Sequence, residues 1–392
     1  MADKAYITPH ILKWARESAR MDEATAASKV SVPIQKLKNW EVGNTQPTIR
    51  QAKLLAKTYK RPFALLFLKE IPKDFQPLQD FRKKGSKTLG TASIFIIREI
   101  QQKQSWISEV YEENNEPKVP FVGKFSINDD PSKVSEDITE SLNIHVPNYE
   151  ADNPIKEWIS KAEKNGIFIS RTSFIHSRLT LDSEELQGFA IADTYAPFIF
   201  INSDDWEAPQ LFTLVHELAH IWIAASGISN EIEPDIKEKD KFHPVELFCN
   251  EVAANALIPF ELITSIEENT FKSAKDVFKV SRSLGVSSFS FLVRALNLKL
   301  ISYRVYEGLK QEAIFEYKAF LKREEERKIK QESKEKKGGP NPYLLRLNKN
   351  SRLFTQIVLD AFRGGSVEAT LASNLLNTPV NKFSSLEAQL YK

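Results

Sequence analysis

"LFTLVHELAHIW", residues 211–222, sets His216 and His220 four apart, with Glu217 beside the first, inside an otherwise apolar run. On a helix, positions four apart differ by about 40° and one turn, so both imidazoles point the same way. Two imidazoles so placed can share one tetrahedral zinc, and Glu217 then leans over the position left open for water. There the carboxylate can take a proton from a water whose pKa zinc has lowered to about 7. The same spacing also fits a core helix with two buried, neutral, hydrogen-bonded histidines.

Downstream, "HPVELFCNEVAANALIP" (243–259) reads as a second helix, with Pro244 just inside its start and Pro259 ending it. Glu246 lies early in it and can present a third ligand, completing a two-His, one-Glu set with the fourth position open. The alternative for Glu246 is a first-turn acid favoured by the helix dipole. Asn250, one turn on, faces the same way and can hydrogen-bond a ligating histidine. Ala253 and Ala254 allow close approach of the two helices. Glu251 points well away from Glu246 and is a poorer ligand. Cys249 reads as packing, with a thiolate ligand as the lesser alternative. His243 can stabilise a transition-state oxyanion or simply cap the helix. His10, His145 and His176 carry no partner pattern.

Upstream, "NGIFISR" (165–171), "GFAIAD" (188–193) and "APFIFIN" (196–202) alternate as strands of a small sheet. If the edge of "APFIFIN" is open, an extended peptide can add to it as a further strand. A long helix is expected at about 91–114, and two more at about 131–143 and 153–165. The expected fold is α+β and mostly helical: an all-α helix-turn-helix domain, then a zincin-like metallopeptidase domain with a small sheet, then a helical C-terminal region.

The helix-turn-helix expectation rests on "ATAASKVSVPIQKLKNWEVGNTQP" (24–47). Ala26 and Val30 pack its first helix, and Val32, Leu37 and Trp40 anchor the second. Gln35, Lys36, Lys38 and Asn39 then face outward. Gln and Asn suit adenine edges, while Lys suits guanine or phosphate. Lys53, Lys57 and Lys60 can add phosphate contacts. Asp22 and Thr48 are placed to cap helices. Residues 1–75 hold 14 Lys or Arg against 7 Asp or Glu, within a whole chain of only +2. That asymmetry points to a polyanionic partner. A helical bundle used only for protein contacts or dimerisation remains the alternative.

At 392 residues the chain exceeds one ordinary core. The ranges expected are 1–75 for the DNA-binding module, 76–149 for a linker with helices and 150–300 for the metallopeptidase domain. A charged helix or tether follows at 301–340, and a small helical segment at 341–392. The linker "KEIPKDFQPLQDFRKKGSK" (69–87) has two prolines and little periodicity. "KREEERKIKQESKEKK" (322–337) reads as a solvated helix extension or tether. No apolar run approaches the roughly 18–20 residues of a membrane span, and the N-terminus lacks the pattern of a signal peptide. A single cysteine, Cys249, excludes an internal disulfide and suits a reducing cytoplasm.

Residues 8–70, with "WEVG" closing the second helix of the module, resemble the XRE (lambda-repressor-like) helix-turn-helix family. Residues 150–300 resemble the ImmA/IrrE family of zinc metallo-endopeptidases, through "GFAIAD", "LFTLVHELAH" and "ELFCNEVAANALIP". "DFR" (80–82) and "GGPNPY" (338–343) resemble stretches of fusions of the two. The resemblance implies Zn2+ on His216, His220 and Glu246, with Glu217 as general base. Cys249 stands where alanine is more usual. It further implies a narrow protease that cleaves a transcriptional repressor, a DNA operator as partner, association with stress-response or toxin–antitoxin loci, and a possible toxin partner. Operator-binding modules of this kind suggest a homodimer. The alternative is a non-proteolytic DNA-binding repressor or antitoxin that uses the protease fold as a sensor or partner-binding domain.

Overall fold

A computed structural model describes residues 3–72, 78–82, 85–151, 153–176, 178–229, 243–332 and 341–392. Most of the polar stretch before the second helix (230–242), the end of the charged stretch with the start of "GGPNPY" (333–340), and parts of the linker (73–77, 83–84) lie outside the described residues. The fold is α+β and mostly helical, with a small five-stranded mixed sheet and a two-stranded antiparallel one among the described residues. In chain order the first elements are α1 (Pro9–Ser18), α2 (Glu23–Lys29), α3 (Ile34–Glu41), α4 (Ile49–Thr58), β1 (Gln79–Asp80), α5 (Thr91–Glu113), α6 (Pro131–Leu142) and α7 (Pro154–Lys164). Then come β2 (Phe168–Thr172), β3 (Phe174–His176), β4 (Leu179–Thr180), β5 (Gly188–Ile191), β6 (Phe198–Asn202), α8 (Glu207–Trp222), β7 (Gly227–Ser229) and α9 (Pro244–Leu257). The remainder is helical: α10 (Phe260–Thr264), α11 (Ala274–Leu284), α12 (Ser288–Asn297), α13 (Tyr303–Glu332), α14 (Pro342–Asn350), α15 (Arg352–Arg363), α16 (Ala369–Leu375) and α17 (Phe383–Leu390).

The chain divides into two compact units. One holds residues 1–77, 87–102 and 174–185; the other holds 78–86, 103–173 and 186–392. In the first unit, the Asp22 carboxylate accepts from the Thr25 amide at 2.7 Å and starts α2. Thr48 and Gln51 form a reciprocal capping box that starts α4. Ile11, Leu12, Ala15, Ala26, Leu37, Trp40 and Leu55 are buried together as the core of the helical set, and Val30 is buried beside them. Val32 is only half-buried. Arg16 on α1 grips Glu41 at the end of α3 with two bonds, Nε to Oε1 at 2.7 Å and Nη2 to Oε2 at 2.9 Å. Its third donor reaches the Met21 carbonyl at 3.0 Å. A buried guanidinium paired in this bidentate way fixes the exit of α3.

In the second unit the sheet runs β1-β7-β5-β6-β2. β5 lies antiparallel to β6 and β7, while β2 pairs parallel with β6 and β1 parallel with β7. "APFIFIN" therefore supplies a central strand. β6 is paired on both sides and all five of its residues are buried, so it offers no edge for a peptide. Five consecutive buried residues also explain why the alternation read in the sequence breaks down here: both faces of β6 are covered. α8 packs on β5 and β6, and α9, α6 and α7 pack on α8. α14 lies along β2, where the Ser170 hydroxyl donates to the Lys349 carbonyl at 2.6 Å. The apolar centre of the unit thus sits between the sheet and α8, with Ile199, Ile201, Val215, Leu218, Ala253 and Val252 fully buried. No helix among the described residues is long and apolar enough to cross a membrane.

Candidate metal centre

α8 is apolar nearly all round, and every residue from Gln210 to Trp222 is buried. A helix of that kind belongs in a core, which makes the polar triplet His216, Glu217 and His220 costly unless something satisfies it. All three are 0% exposed. α9 crosses α8 and opens at His243, whose Nδ1 accepts from the Val245 amide at 3.3 Å as the N-cap, with Pro244 following. Its first turn brings Glu246 to the two histidines. Glu246 Oε2 lies 3.3 Å from His216 Nε2, and Oε1 lies 3.2 Å from His220 Nε2. The ligand atoms of these three residues fall within 4.8 Å of one another, the one such group among the described residues.

The partners of the other ring nitrogens decide the tautomers. His216 Nδ1 stands 2.8 Å from Asn250 Oδ1, and His220 Nδ1 stands 3.1 Å from the Ala225 carbonyl. Both partners are oxygen acceptors, so each Nδ1 carries the proton and donates it. With the rings neutral each Nε2 is then left with a lone pair, and the two Nε2 atoms face each other at 3.1 Å. Two lone pairs cannot bond each other. Burial lowers the His220 pKa, only partly opposed by Glu246. Burial acts upward on the Glu246 carboxyl, which is held low, at about 2, only where the adjacent imidazoles are protonated at Nε2 and donate to it. A carboxylate and two neutral imidazoles converging on one point are the donors a small cation needs, and the spacing fits the roughly 2.0–2.2 Å bonds of zinc to nitrogen and oxygen.

Beside this group, both carboxylate oxygens of Glu217 are buried without a hydrogen-bond partner. Burial pushes its carboxyl well above the usual range; the Glu246 charge adds to that and the Ser229 hydroxyl opposes it. A buried carboxyl without a hydrogen-bond partner next to two converging imidazoles is the strongest sign that the site is built around a further group.

The neighbouring residues differ in what they touch. Burial raises the Cys249 thiol well above its usual range, with Glu246 and Glu217 adding to it, so it packs as a neutral side chain. Glu251 is exposed on the outer side of α9. His243 is exposed, and its ring lies 5.0 Å from that of Phe81. His10 reaches the Lys69 carbonyl at 3.1 Å, and His176 accepts from the Arg178 amide at 3.3 Å; these two and the exposed His145 are not among the clustered donors. In the first unit, Gln35, Lys36 and Lys38 are exposed on α3 and Asn39 is half-buried. Gln35 donates to Asn39 at 3.3 Å, and Lys38 pairs with Glu23 of α2 at 2.9 Å.

Three contributors were not singled out in the sequence. Ser229, at the end of β7, donates to Glu246 Oε1 at 3.3 Å and lies 3.5 Å from His216 Nε2. Gly188 on β5 backs onto Glu217: a Cβ there would stand 2.8 Å from Glu217 Oε1 and 2.7 Å from Thr213 Cγ2. The glycine opening "GFAIAD" was the available signal for it. Phe81, 2% exposed, stacks on the His220 ring at 5.4 Å and 18°. Burying such a ring stabilises by about 2–3 kcal/mol.

Residues 162–296 match the model of the peptidase M78 family, described as the IrrE N-terminal-like domain. The matched range contains His216, Glu217, His220, Ser229 and Glu246, and it leaves the N-terminal helical set and the C-terminal helices outside. No curated protein matches the chain.

Proposed function

We propose that this chain is a zinc-dependent endopeptidase joined to a DNA-binding module, and that its substrate is a protein, a transcriptional repressor by the resemblance of its motifs. The observation that carries the reading is the convergence of the His216 and His220 Nε2 atoms, 3.1 Å apart, on the Glu246 carboxylate, with the buried Glu217 beside them. His216, His220 and Glu246 are the residues that would hold zinc, and zinc when bound supplies Lewis acidity toward the peptide carbonyl and a water of pKa about 7. Asn250 keeps the His216 tautomer and orientation, and the Ala225 carbonyl does the same for His220. Glu217 takes the proton that a water loses as its oxygen bonds to the scissile carbonyl carbon. It then delivers that proton to the amide nitrogen as the C–N bond breaks. His243, at the start of α9, is the residue suited to steady the developing oxyanion.

The N-terminal module is proposed to meet an operator through Gln35, Lys36, Lys38 and Asn39, and to act as a dimer; a toxin partner follows from the same resemblance. The complete burial of the three ligand side chains favours a second reading, a DNA-binding regulator whose peptidase fold serves partner binding. The two part on whether a peptide bond is cut. Glu217→Gln is expected to keep its zinc and lose all cutting of the substrate. Loss of metal in that variant would contradict the role given to Glu217.

A further inference from the structure

β7 runs beside the clustered histidines, and its last residue, Ser229, touches Glu246. On one side it pairs with β5. Its other side is occupied by the chain's own linker: Gln79 pairs with Gly227 and Asp80 with Ile228, and the Phe81 amide donates to the Ile228 carbonyl at 3.2 Å. The alternation of an extended strand then sends Asp80 and Arg82 to one side and Phe81 to the other. On the other side the nearly buried Arg82 guanidinium clasps the Asp80 carboxylate at 2.8 and 2.7 Å. On the inner side the Phe81 ring lies against His220 and His243. Gly227 leaves room for that ring, since a Cβ there would overlap it.

With Phe81 in place, His220 and Glu217 are 0% exposed and Glu246 is 2% exposed. The Phe81 ring covers that of His220, so with Phe81 seated this side of the site is closed to a substrate. β1 is also only two residues long, both exposed, and pairs in the parallel sense. So short a parallel pairing is weakly held.

We infer that Gln79–Phe81 is an internal occupant of the substrate groove: the β7 edge and the Phe81 socket take an extended protein segment with an aromatic side chain, and the linker fills both until such a segment displaces it. The inference rests on the peptidase reading above. Strand pairing to β7 supplies affinity without regard to sequence, and the socket against His220 supplies the choice of side chain. Unfolded or loosely held segments are the class that fits, because a folded strand has its edges already paired.

The test uses the full chain as wild type, Phe81→Ala and Asp80→Ala. In metal-free protein, diethylpyrocarbonate modification of His220 is followed by mass spectrometry, with exposed His145 as the internal reference. Phe81→Ala is expected to speed modification of His220 about tenfold or more, as removal of a closed state should. Asp80→Ala, which removes the bonds from the Arg82 guanidinium and amide and keeps the ring, is expected to fall between. Equal His220 rates in all three would overturn the strap. In zinc-loaded protein, cutting of casein, an unfolded probe, is expected to rise by about the same factor in Phe81→Ala and to vanish when Glu217→Gln is added. Cutting by wild type at the rate of Phe81→Ala would also overturn it. A His220 that opens while no variant cuts supports the strap and removes the peptidase reading instead.

Discussion

Asn250 does its work through one atom. Its Oδ1 fixes the proton on His216 Nδ1 and so leaves Nε2 free to bind a cation. Removing such a partner typically costs about 10–100-fold in metal affinity. Asn250→Ala is therefore expected to bind zinc that much more weakly in a chelator competition while keeping the fold; unchanged affinity would show that the hydrogen bond is incidental. This residue was legible in the sequence because Glu246 and Asn250 are four apart, the same one-turn spacing that pairs His216 with His220. Gly188 and Ser229 were not, because their approach to Glu217 and Glu246 depends on sheet pairing, which brings together residues far apart in the chain. Spacing along a helix writes its geometry into the sequence, whereas spacing across a sheet does not.

Among elements, the helices singled out in the sequence were read to within a few residues, and caps explain several of them, whereas α10, α11 and α12 were not singled out. Asp22, Thr48 and Pro244 stand where first turns need an acceptor or tolerate a missing N–H. β1 and β7 escaped notice, being two and three residues long with no period to detect. The C-terminal helices were seen, but their attachment was not. Glu163 of α7 caps the start of α15, with Oε1 accepting from the Ser351 hydroxyl at 2.6 Å and the Arg352 amide at 2.9 Å. Lys103 of α5 similarly reaches Asn350 at 2.8 Å. Leaving the α15 donors unpaired costs about 1–3 kcal/mol. Glu163→Ala is expected to lose that much in urea unfolding, with Glu163→Gln losing less; a wild-type midpoint for both would mean that the cap contributes nothing.

Across the whole molecule, charge separates the parts more clearly than composition does. The first 75 residues carry 14 basic against 7 acidic side chains, whereas the remaining chain is net acidic, and the DNA interface proposed for that module rests on this difference. Removing one phosphate-binding side chain lowers the salt dependence of DNA binding by about one power of salt concentration. Lys36→Ala is expected to weaken binding to all sequences and to reduce the salt slope by about 1, whereas Gln35→Ala is expected to alter sequence preference and leave the slope unchanged. Equal slopes for wild type and Lys36→Ala would remove Lys36 from the interface. The central claim, however, is the metal. The direct measurement is the zinc content of purified full-length protein beside Glu246→Ala. The account predicts about one zinc per chain, lost in the variant. A native protein that holds no zinc, even after zinc is added back, would contradict it and leave the second reading proposed above in its place.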